Sequence, residues 1–410
     1  MLETRVRRGG VPALSGGKDG RPFEPYRAMD FDLTQDQLDV QKLCRDFAEG
    51  EILPHAARWD ENSEFPLECV RKMAGLGLLG LPIPEKYGGA GADTVSYALA
   101  VIEIGRADAS VGITMAAHVS LGTSPFLMFG SEAQKQRYIP PLARGEQLWS
   151  FGLTEPNAGS DAGATSTKAR LENGSWVING TKAFITNAGT PISGGVTITA
   201  VTGPGTNGKA EISNIIVPQD TAGYSRAQPY KKMGWRASDT RELSFANAKV
   251  PQENLLGERG RGFKQFLDTL DGGRISVGAL SVGLAQACYD ASAKYAKERM
   301  QFGSPIAKFQ AVQFQLVDMA VEIELAQTAV LKAAWLKDQG RDFAKAAAIA
   351  KLYSGEVSRR CANAAVQIHG GYGFMEEYPV ARYWRDCKIN EIGEGTNEVQ
   401  RMVIGRLLGF

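Results

Sequence analysis

The sequence predicts a multidomain α+β chain: an N-terminal helical domain, a middle antiparallel β-barrel or sandwich, and a C-terminal four-helix bundle. Two changes of texture carry this. Helical periodicity persists to about residue 150 and then gives way to Thr-, Val-, Ile- and Gly-rich stretches with turn signals; past Arg261, Ala-rich amphipathic stretches return. Size is the third observation, since 410 residues with 43% hydrophobic side chains can bury the cores of two or three domains. The expected boundaries are a leader over 1–28, a helical domain over 29–150, a β-domain over 151–260 and a helical bundle over 261–410.

Residues 1–28 are rich in Gly and Arg and lack an apolar h-region, so they do not read as a secretory signal. Glu3, Asp19 and Glu24 argue against a transit peptide, and the reading is a disordered leader with Met29 opening the folded part. Thr34-Gln-Asp-Gln37 has the form of a capping box, followed by Val40, Leu43, Cys44, Phe47 and Ala48 at helical spacing. The same grammar returns at Ser131-Glu-Ala-Gln134, and helical periodicity marks 68–74 and 97–106. In the middle segment, Asn173-Gly174 and Asn179-Gly180 are hairpin signals around the alternating Trp176-Val-Ile-Asn, with further strands expected at 196–201, 212–217 and 242–250. Four helices are expected over 263–301, 311–339, 343–368 and 397–408, enough for a bundle.

Composition narrows the function. With 46 Lys+Arg against 45 Asp+Glu the net charge is +1, which provides no general field for nucleic acid or an anionic membrane. No uninterrupted apolar run reaches the roughly 18 residues that span a bilayer, so no membrane partner is expected. Five cysteines lie far apart without a Cys-x-x-Cys, arguing against a disulfide scaffold or structural zinc and for a reducing cytoplasm. His55, His118 and His369 are too few for a His-rich metal centre, so no metal is expected. Carboxylates and a cofactor remain to carry any chemistry.

Several motifs are candidates. Gly75-x-Gly77-x-x-Gly80 has the letters of a dinucleotide fingerprint but follows a helical pattern and runs into Pro82 and Pro84, so it reads as a tight helix end. His369-Gly-Gly-Tyr-Gly373 suits either a C-cap or an approach of backbone amides to an anion. The stretch 151–161 packs hydroxyls and small residues between strands, as a ligand-facing loop or a plain turn would. Phe184-Ile-Thr186 puts an aromatic face beside a hydroxyl. Glu394 lies between Gly393 and Gly395, where a substrate could approach its carboxylate closely.

Taken together, Leu-Thr-Glu-Pro-Asn-Ala-Gly-Ser-Asp (153–161), Asn-Gly-Thr-Lys-Ala-Phe-Ile-Thr-Asn (179–187), Glu-Arg-Met-Gln-Phe-Gly (298–303), Gln-Ile-His-Gly-Gly-Tyr-Gly-Phe (367–374) and Glu-Gly-Thr-Asn-Glu (394–398) resemble the acyl-CoA dehydrogenase family, over about 30–410. The likeness is to its short-chain and short branched-chain members. It implies FAD as cofactor, an acyl-CoA substrate, and α,β-dehydrogenation to the trans-2-enoyl-CoA with hydride passing to flavin N5. Glu394 would be the catalytic base. Phe151, Leu153, Thr154, Gly159 and Ser160 would line the flavin, with Ser160 also meeting substrate, and Phe184, Ile185 and Thr186 would cover its other side. Arg299, Phe302 and Gln310 would reach the FAD of a neighbouring subunit, whose adenosine and pyrophosphate would meet Gln367, Gly370, Gly371, Thr396 and Glu398. Asp271, Arg274 and Gly395 would contact the CoA-bearing substrate. The resemblance further implies a homo-oligomer, commonly a tetramer, an electron-transfer flavoprotein as partner, and a bacterial cytoplasm rather than a mitochondrial matrix.

Some positions depart from the family pattern. Members that carry their base directly before the arginine corresponding to Arg274 differ from this chain, which has Gly273 there. Gly393 stands where a Tyr is common, and its lack of a side chain suggests room for α-branched acyl groups such as isobutyryl or 2-methylbutyryl. Phe184 replaces a frequent Trp. A flavin oxidase of the same fold, acting on acyl-CoA or nitroalkanes, and a non-catalytic FAD-binding scaffold remain the alternatives.

Overall fold

The computed structural model describes residues 32–205 and 210–410. The expected leader over 1–28 and the opening at Met29 lie outside the described residues. Residues Asp36–Phe410 form one compact unit, and everything below concerns it together with Gln35, the first residue of its opening helix.

Seven helices come first: α1 (Gln35–Phe47), α2 (Ala56–Asn62), α3 (Leu67–Gly75), α4 (Thr94–Ala107), α5 (Ala109–Ala116), α6 (Ser124–Phe129) and α7 (Glu132–Ala143). Three of their starts, those of α4, α5 and α7, are fixed by side-chain caps. Asp93 accepts from Ser96 N at 2.6 Å, Asp108 from Val111 N at 3.0 Å, and Ser131 with Gln134 closes the expected capping box. Gly75 ends α3 and a 3₁₀ turn over Leu78–Gly80 follows, so the fingerprint letters mark a helix end. One helical stretch was not anticipated. A π-helical segment, Ala117–Thr123, joins α5 to α6 and makes Ala109–Phe129 a 21-residue helix apolar enough by length and composition to cross a membrane, yet 78% buried inside the fold. Its Ser, Thr and His residues interrupt any apolar run, and the buried setting satisfies them: Thr114 Oγ1 and Ser120 Oγ donate to carbonyls one turn back, at 2.8 and 2.6 Å.

The middle segment forms one eight-stranded sheet from β1 (Leu148–Gly152), β2 (Lys168–Glu172), β3 (Ser175–Thr186), β4 (Ser193–Pro204), β5 (Ala210–Pro218), β6 (Tyr224–Arg226), β7 (Thr240–Pro251) and β8 (Leu255–Leu256). The path runs β6-β7-β3-β2-β4-β5-β8, with β1 beside β4. Most pairs are antiparallel, but β1 and β2 both run parallel to β4, so the sheet is mixed rather than purely antiparallel. Asn173-Gly174, at φ 48° and 76°, makes the two-residue turn between β2 and β3. Asn179-Gly180 is not a turn. It lies inside β3 at a register shift against β7, where the Asn179 side chain both donates to and accepts from Asn247, an alternative use of Asn-Gly that local pattern does not separate from a hairpin. The sheet core gathers Trp176, Ile178, Ile198, Ile215, Leu243 and Phe245.

The last segment holds α8 (Gly262–Glu298), a two-stranded ribbon of β9 (Met300–Gln301) and β10 (Ser304–Pro305), α9 (Gln310–Asp338), α10 (Ala344–His369), α11 (Pro379–Cys387) and α12 (Asn397–Leu408). Helices α8, α9 and α10 pack on one another and α12 lies on α10, as the bundle expectation requires; α11 is an additional short helix. Two contacts lock the first helices to the bundle. A Cβ at Gly283 of α8 would stand 2.3 Å from the Ile102 carbonyl of α4, so the two helices approach as closely as glycine permits. Asp338 at the end of α9 accepts from Thr94 N and Val95 N at 2.8 and 3.1 Å, a carboxylate on the positive end of α4. A second core of Phe126, Tyr138, Trp149 and Ile216 joins those helices to the sheet, with Trp149 Nε1 donating to Thr197 at 3.0 Å.

Candidate active site

A cavity of about 2060 Å³ opens where the three parts meet, roughly twice the upper end of ordinary small-molecule pockets. Its walls come from the β1 exit and the loop beyond it, the end of β3, the α5 stretch, the first turns of α8, and the turn before α12. Phe151, Leu153, Thr154, Gly159, Ser160, Phe184, Ile185, Thr186, Asp271, Arg274, Glu394, Gly395 and Thr396 all line it.

The loop after β1 is held by a buried ion pair. Lys182 Nζ donates to Glu155 Oε1 at 2.8 Å, to Thr199 Oγ1 at 2.9 Å and to the Leu153 carbonyl at 3.2 Å. Glu155 also accepts from Ser166 N and Oγ, at 2.7 and 2.6 Å. Burial alone would raise the Glu155 carboxyl, but the Lys182 charge and these donors outweigh it and hold the group at about 2. Burial lowers Lys182 to about 8 despite the pair. The alternation of β3 puts Lys182 inward, and so fixes Leu153 and Thr154 at the cavity wall. Phe151 stacks on Phe266 of α8 at 3.9 Å, while Phe184, left-handed at φ 60°, stays 64% exposed beside Thr186.

Glu394 sits opposite. It and Gly395 are consecutive left-handed residues, φ 53° and 91°, which turn the chain sharply before Thr396 caps α12 by accepting from Val399 N at 3.3 Å. Both Glu394 carboxylate oxygens are buried and have no hydrogen-bond partner. Gly273 makes this possible: a Cβ there would lie 2.1 Å from Glu394 Oε2. Burial raises the Glu394 carboxyl from 4.5 to about 7, against the opposing pull of Lys351 and Arg274. Arg274 is itself paired with Asp271. An unpartnered carboxylate in an apolar wall, poised near neutrality, is a proton acceptor in waiting.

Other expected residues lie elsewhere. Arg299, Gly370 and Gly371 line a separate hollow of about 440 Å³ with Tyr295 and Tyr372. Phe302 is 95% exposed, and Gln310, Gln367 and Glu398 are exposed outside the lining of the larger cavity. Within a single chain these residues do not meet Glu394. Sequence reasoning missed Lys351 and Gln400, both fully buried beneath the Glu394 turn. A signal existed: Ala347, Lys351, Ser354 and Ser358 share one small-residue face of α10, where a lysine is out of place. It missed Trp235 and Met233 in the wall as well, because a loop carries no periodicity.

The residues present fit FAD. Hydroxyls of Thr154, Ser160 and Thr186, an exposed aromatic ring and an open Gly159, whose Cβ would meet nothing within 4 Å, face one volume large enough for a dinucleotide together with a thioester.

Comparison with known proteins agrees with this geometry. The acyl-CoA dehydrogenase N-terminal, middle and C-terminal domain models match residues 34–146, 150–248 and 260–409. A probable acyl-CoA dehydrogenase of Bacillus subtilis (strain 168) is 57% identical over 93% of this chain and 100% of its own length. The structure of butyryl-CoA dehydrogenase from Megasphaera elsdenii is similar with a TM-score of 0.90 at 45% identity, over 93% of this chain and 100% of that one. An acyl-CoA dehydrogenase from Bacillus anthracis, solved in complex with FAD, has a TM-score of 0.86 at 37% identity, over 92% of this chain and 67% of that one. With domain models matching nearly end to end and relatives far above the identity at which families diverge, this chain belongs to the acyl-CoA dehydrogenase family of FAD-dependent oxidoreductases.

Proposed function

We propose that the chain dehydrogenates a short or short branched-chain acyl-CoA to its trans-2-enoyl-CoA, with Glu394 as the base. The observation that carries this is the Glu394 carboxylate, buried, without a hydrogen-bond partner, and at the wall of a cavity large enough for cofactor and thioester. The proton α to a thioester is weakly acidic, and a carboxylate becomes a competent acceptor when burial raises its pKa. At neutral pH a large fraction of Glu394 is ionised and ready. The backbone N–H of Glu394 is our donor for the thioester oxygen, where negative charge develops as the proton leaves. Bound FAD supplies the acceptor for the β-hydrogen as hydride. Phe151, Leu153, Thr154, Gly159, Ser160, Phe184, Ile185 and Thr186 hold that cofactor in this reading, and Asp271, Arg274, Ser160 and Gly395 meet the substrate. Arg299, Phe302, Gln310, Gln367, Gly370, Gly371, Thr396 and Glu398 serve a neighbouring subunit's cofactor in an oligomer.

The substrate class draws support from the Megasphaera elsdenii relative, a butyryl-CoA dehydrogenase. It also draws on Gly393, where a Cβ would find nothing nearer than the Ile389 carbonyl at 3.4 Å, so this wall of the cavity has space that a larger residue would fill. Electrons pass on to an electron-transfer flavoprotein, as the family resemblance implies. Five free, buried cysteines suit a reducing cytoplasm.

The test is anaerobic titration of the purified flavoprotein with butyryl-, isobutyryl-, isovaleryl- and octanoyl-CoA, for wild type and Glu394→Gln. Bleaching of the flavin colour by the short acyl-CoAs, lost in the variant, is the expected result. Bleaching that survives Glu394→Gln would mean another base, and rapid oxygen consumption during turnover would move the assignment to an oxidase.

A further inference from the structure

Lys351 lies in the middle of α10 and is fully buried. Among the described residues no carboxylate is within ion-pair distance of its ammonium, which instead donates to the Gly395 carbonyl at 2.8 Å and to Asn397 Oδ1 at 3.3 Å. The two left-handed residues of the Glu394 turn swing their carbonyls inward, and Gln400 Nε2 completes the set by donating to the Glu394 and Gly395 carbonyls at 3.2 and 3.0 Å. Satisfying one carbonyl does not require a cation, because Gln400 already reaches it. A buried ammonium carries a desolvation cost that a neutral donor would avoid.

The charges around the turn indicate what the cation does. Glu394 is faced by Arg274 from α8, Lys351 from α10 and the Tyr97 phenol from α4. Lys351 in turn feels Glu394, Arg274 and, on the chain either side of the turn, Glu391 and Glu398. Arg274 is compensated by its own pair with Asp271, and Glu391 by Arg359 and Lys388. Lys351 is therefore the uncompensated cation behind the base. Resting on the reading of Glu394 as base, we propose that Lys351 is its positioning residue: the ammonium pins the turn through the Gly395 carbonyl, and its charge favours the ionised carboxylate that accepts the proton. Burial lowers Lys351 to about 8, with the Glu394 charge acting in the opposite direction, so the two groups titrate in adjoining ranges and each stabilises the other's charged form.

The holoenzyme tests this in two ways. In Lys351→Met, which keeps the length and removes the charge, the midpoint of the pH profile of kcat/KM should move up by about one unit, making the enzyme roughly fivefold slower at pH 7 and close to wild type above pH 9. Lys351→Arg should restore the wild-type midpoint. A Lys351→Met enzyme slowed by the same factor at every pH would overturn the proposal, since Lys351 would then only hold structure. The second measurement leaves Lys351 intact and stands even where that variant does not fold. Coupling is reciprocal, so in protein carrying ε-¹³C-lysine one lysine resonance should titrate about one unit lower in Glu394→Gln than in wild type. If no lysine midpoint moves, the proposal is wrong. Turnover by Glu394→Gln would instead sink the reading of the base, an outcome separate from the NMR result.

Discussion

Glu394 is defined by what surrounds it rather than by what it touches. Its oxygens are buried without a donor, and its carboxylate occupies space that a side chain at Gly273 would fill. As its carboxyl is raised from 4.5 to about 7, the folded chain binds that proton more tightly than the unfolded chain. This contribution to stability is complete below pH 4.5 and disappears as pH rises through 7. Gln is neutral throughout, so Glu394→Gln should be more stable than wild type at pH 8.5, by on the order of 3 kcal/mol, with the difference nearly gone by pH 4.5; urea midpoints at the two pH values check the sign. In its proposed role as base the same residue governs rate. kcat/KM should rise through about pH 7 as the base ionises, and Glu394→Gln should cost at least about a hundredfold in kcat. At Gly393, where a side chain has room, Gly393→Tyr should lower the ratio of isobutyryl-CoA to butyryl-CoA kcat/KM; an unchanged ratio removes Gly393 as the determinant of branching. The sequence alone singled out Glu394 by its flanking glycines, whereas the meeting of Lys351 from α10 and Gln400 from α12 beneath that turn was decided by packing.

At the scale of elements, the buried Lys182–Glu155 pair fastens the loop after β1 to β3 and β4. Removing one partner leaves a charge in the core, so Lys182→Met should destabilise by about 3–5 kcal/mol, and the double variant Lys182→Met with Glu155→Leu should recover part of that loss in chemical denaturation. Helix α8 offers a separable test. Gly273→Ala places a methyl 2.1 Å from Glu394 Oε2, and should lower kcat steeply while circular dichroism keeps its wild-type helix signal. The Ser131–Gln134 capping box, the Asn173-Gly174 turn and the long amphipathic helices follow from local chemistry and were legible from sequence. Asn179-Gly180 was misread because a bulge within β3 uses the same two residues as a hairpin, and the choice is made by the Asn247 side chain on a strand 68 residues away.

For the whole molecule, α9 turns Phe314, Val317, Val321 and Leu325 outward, each more than half exposed and spaced along one helical face. An apolar stripe of this kind is expected at a subunit interface. In the homo-oligomer proposed here, Val321→Glu with Leu325→Glu should reduce the assembled mass in light scattering while the monomer keeps its helix content. A double variant of unchanged mass would place the interface elsewhere.

The sequence by itself determined the order of helical, β and helical parts and the positions of most helices and strands, and it picked out Glu394 as the candidate base, since periodicity, caps and glycine-flanked motifs are local properties of the chain. Tertiary structure decided the rest. It gathered one cavity from residues 113 to 407, paired Lys182 with Glu155, turned the apolar stretch Ala109–Phe129 into a core helix, and set an uncompensated lysine behind Glu394. Burial and long-range charge depend on which distant segments meet, and no local pattern encodes that meeting.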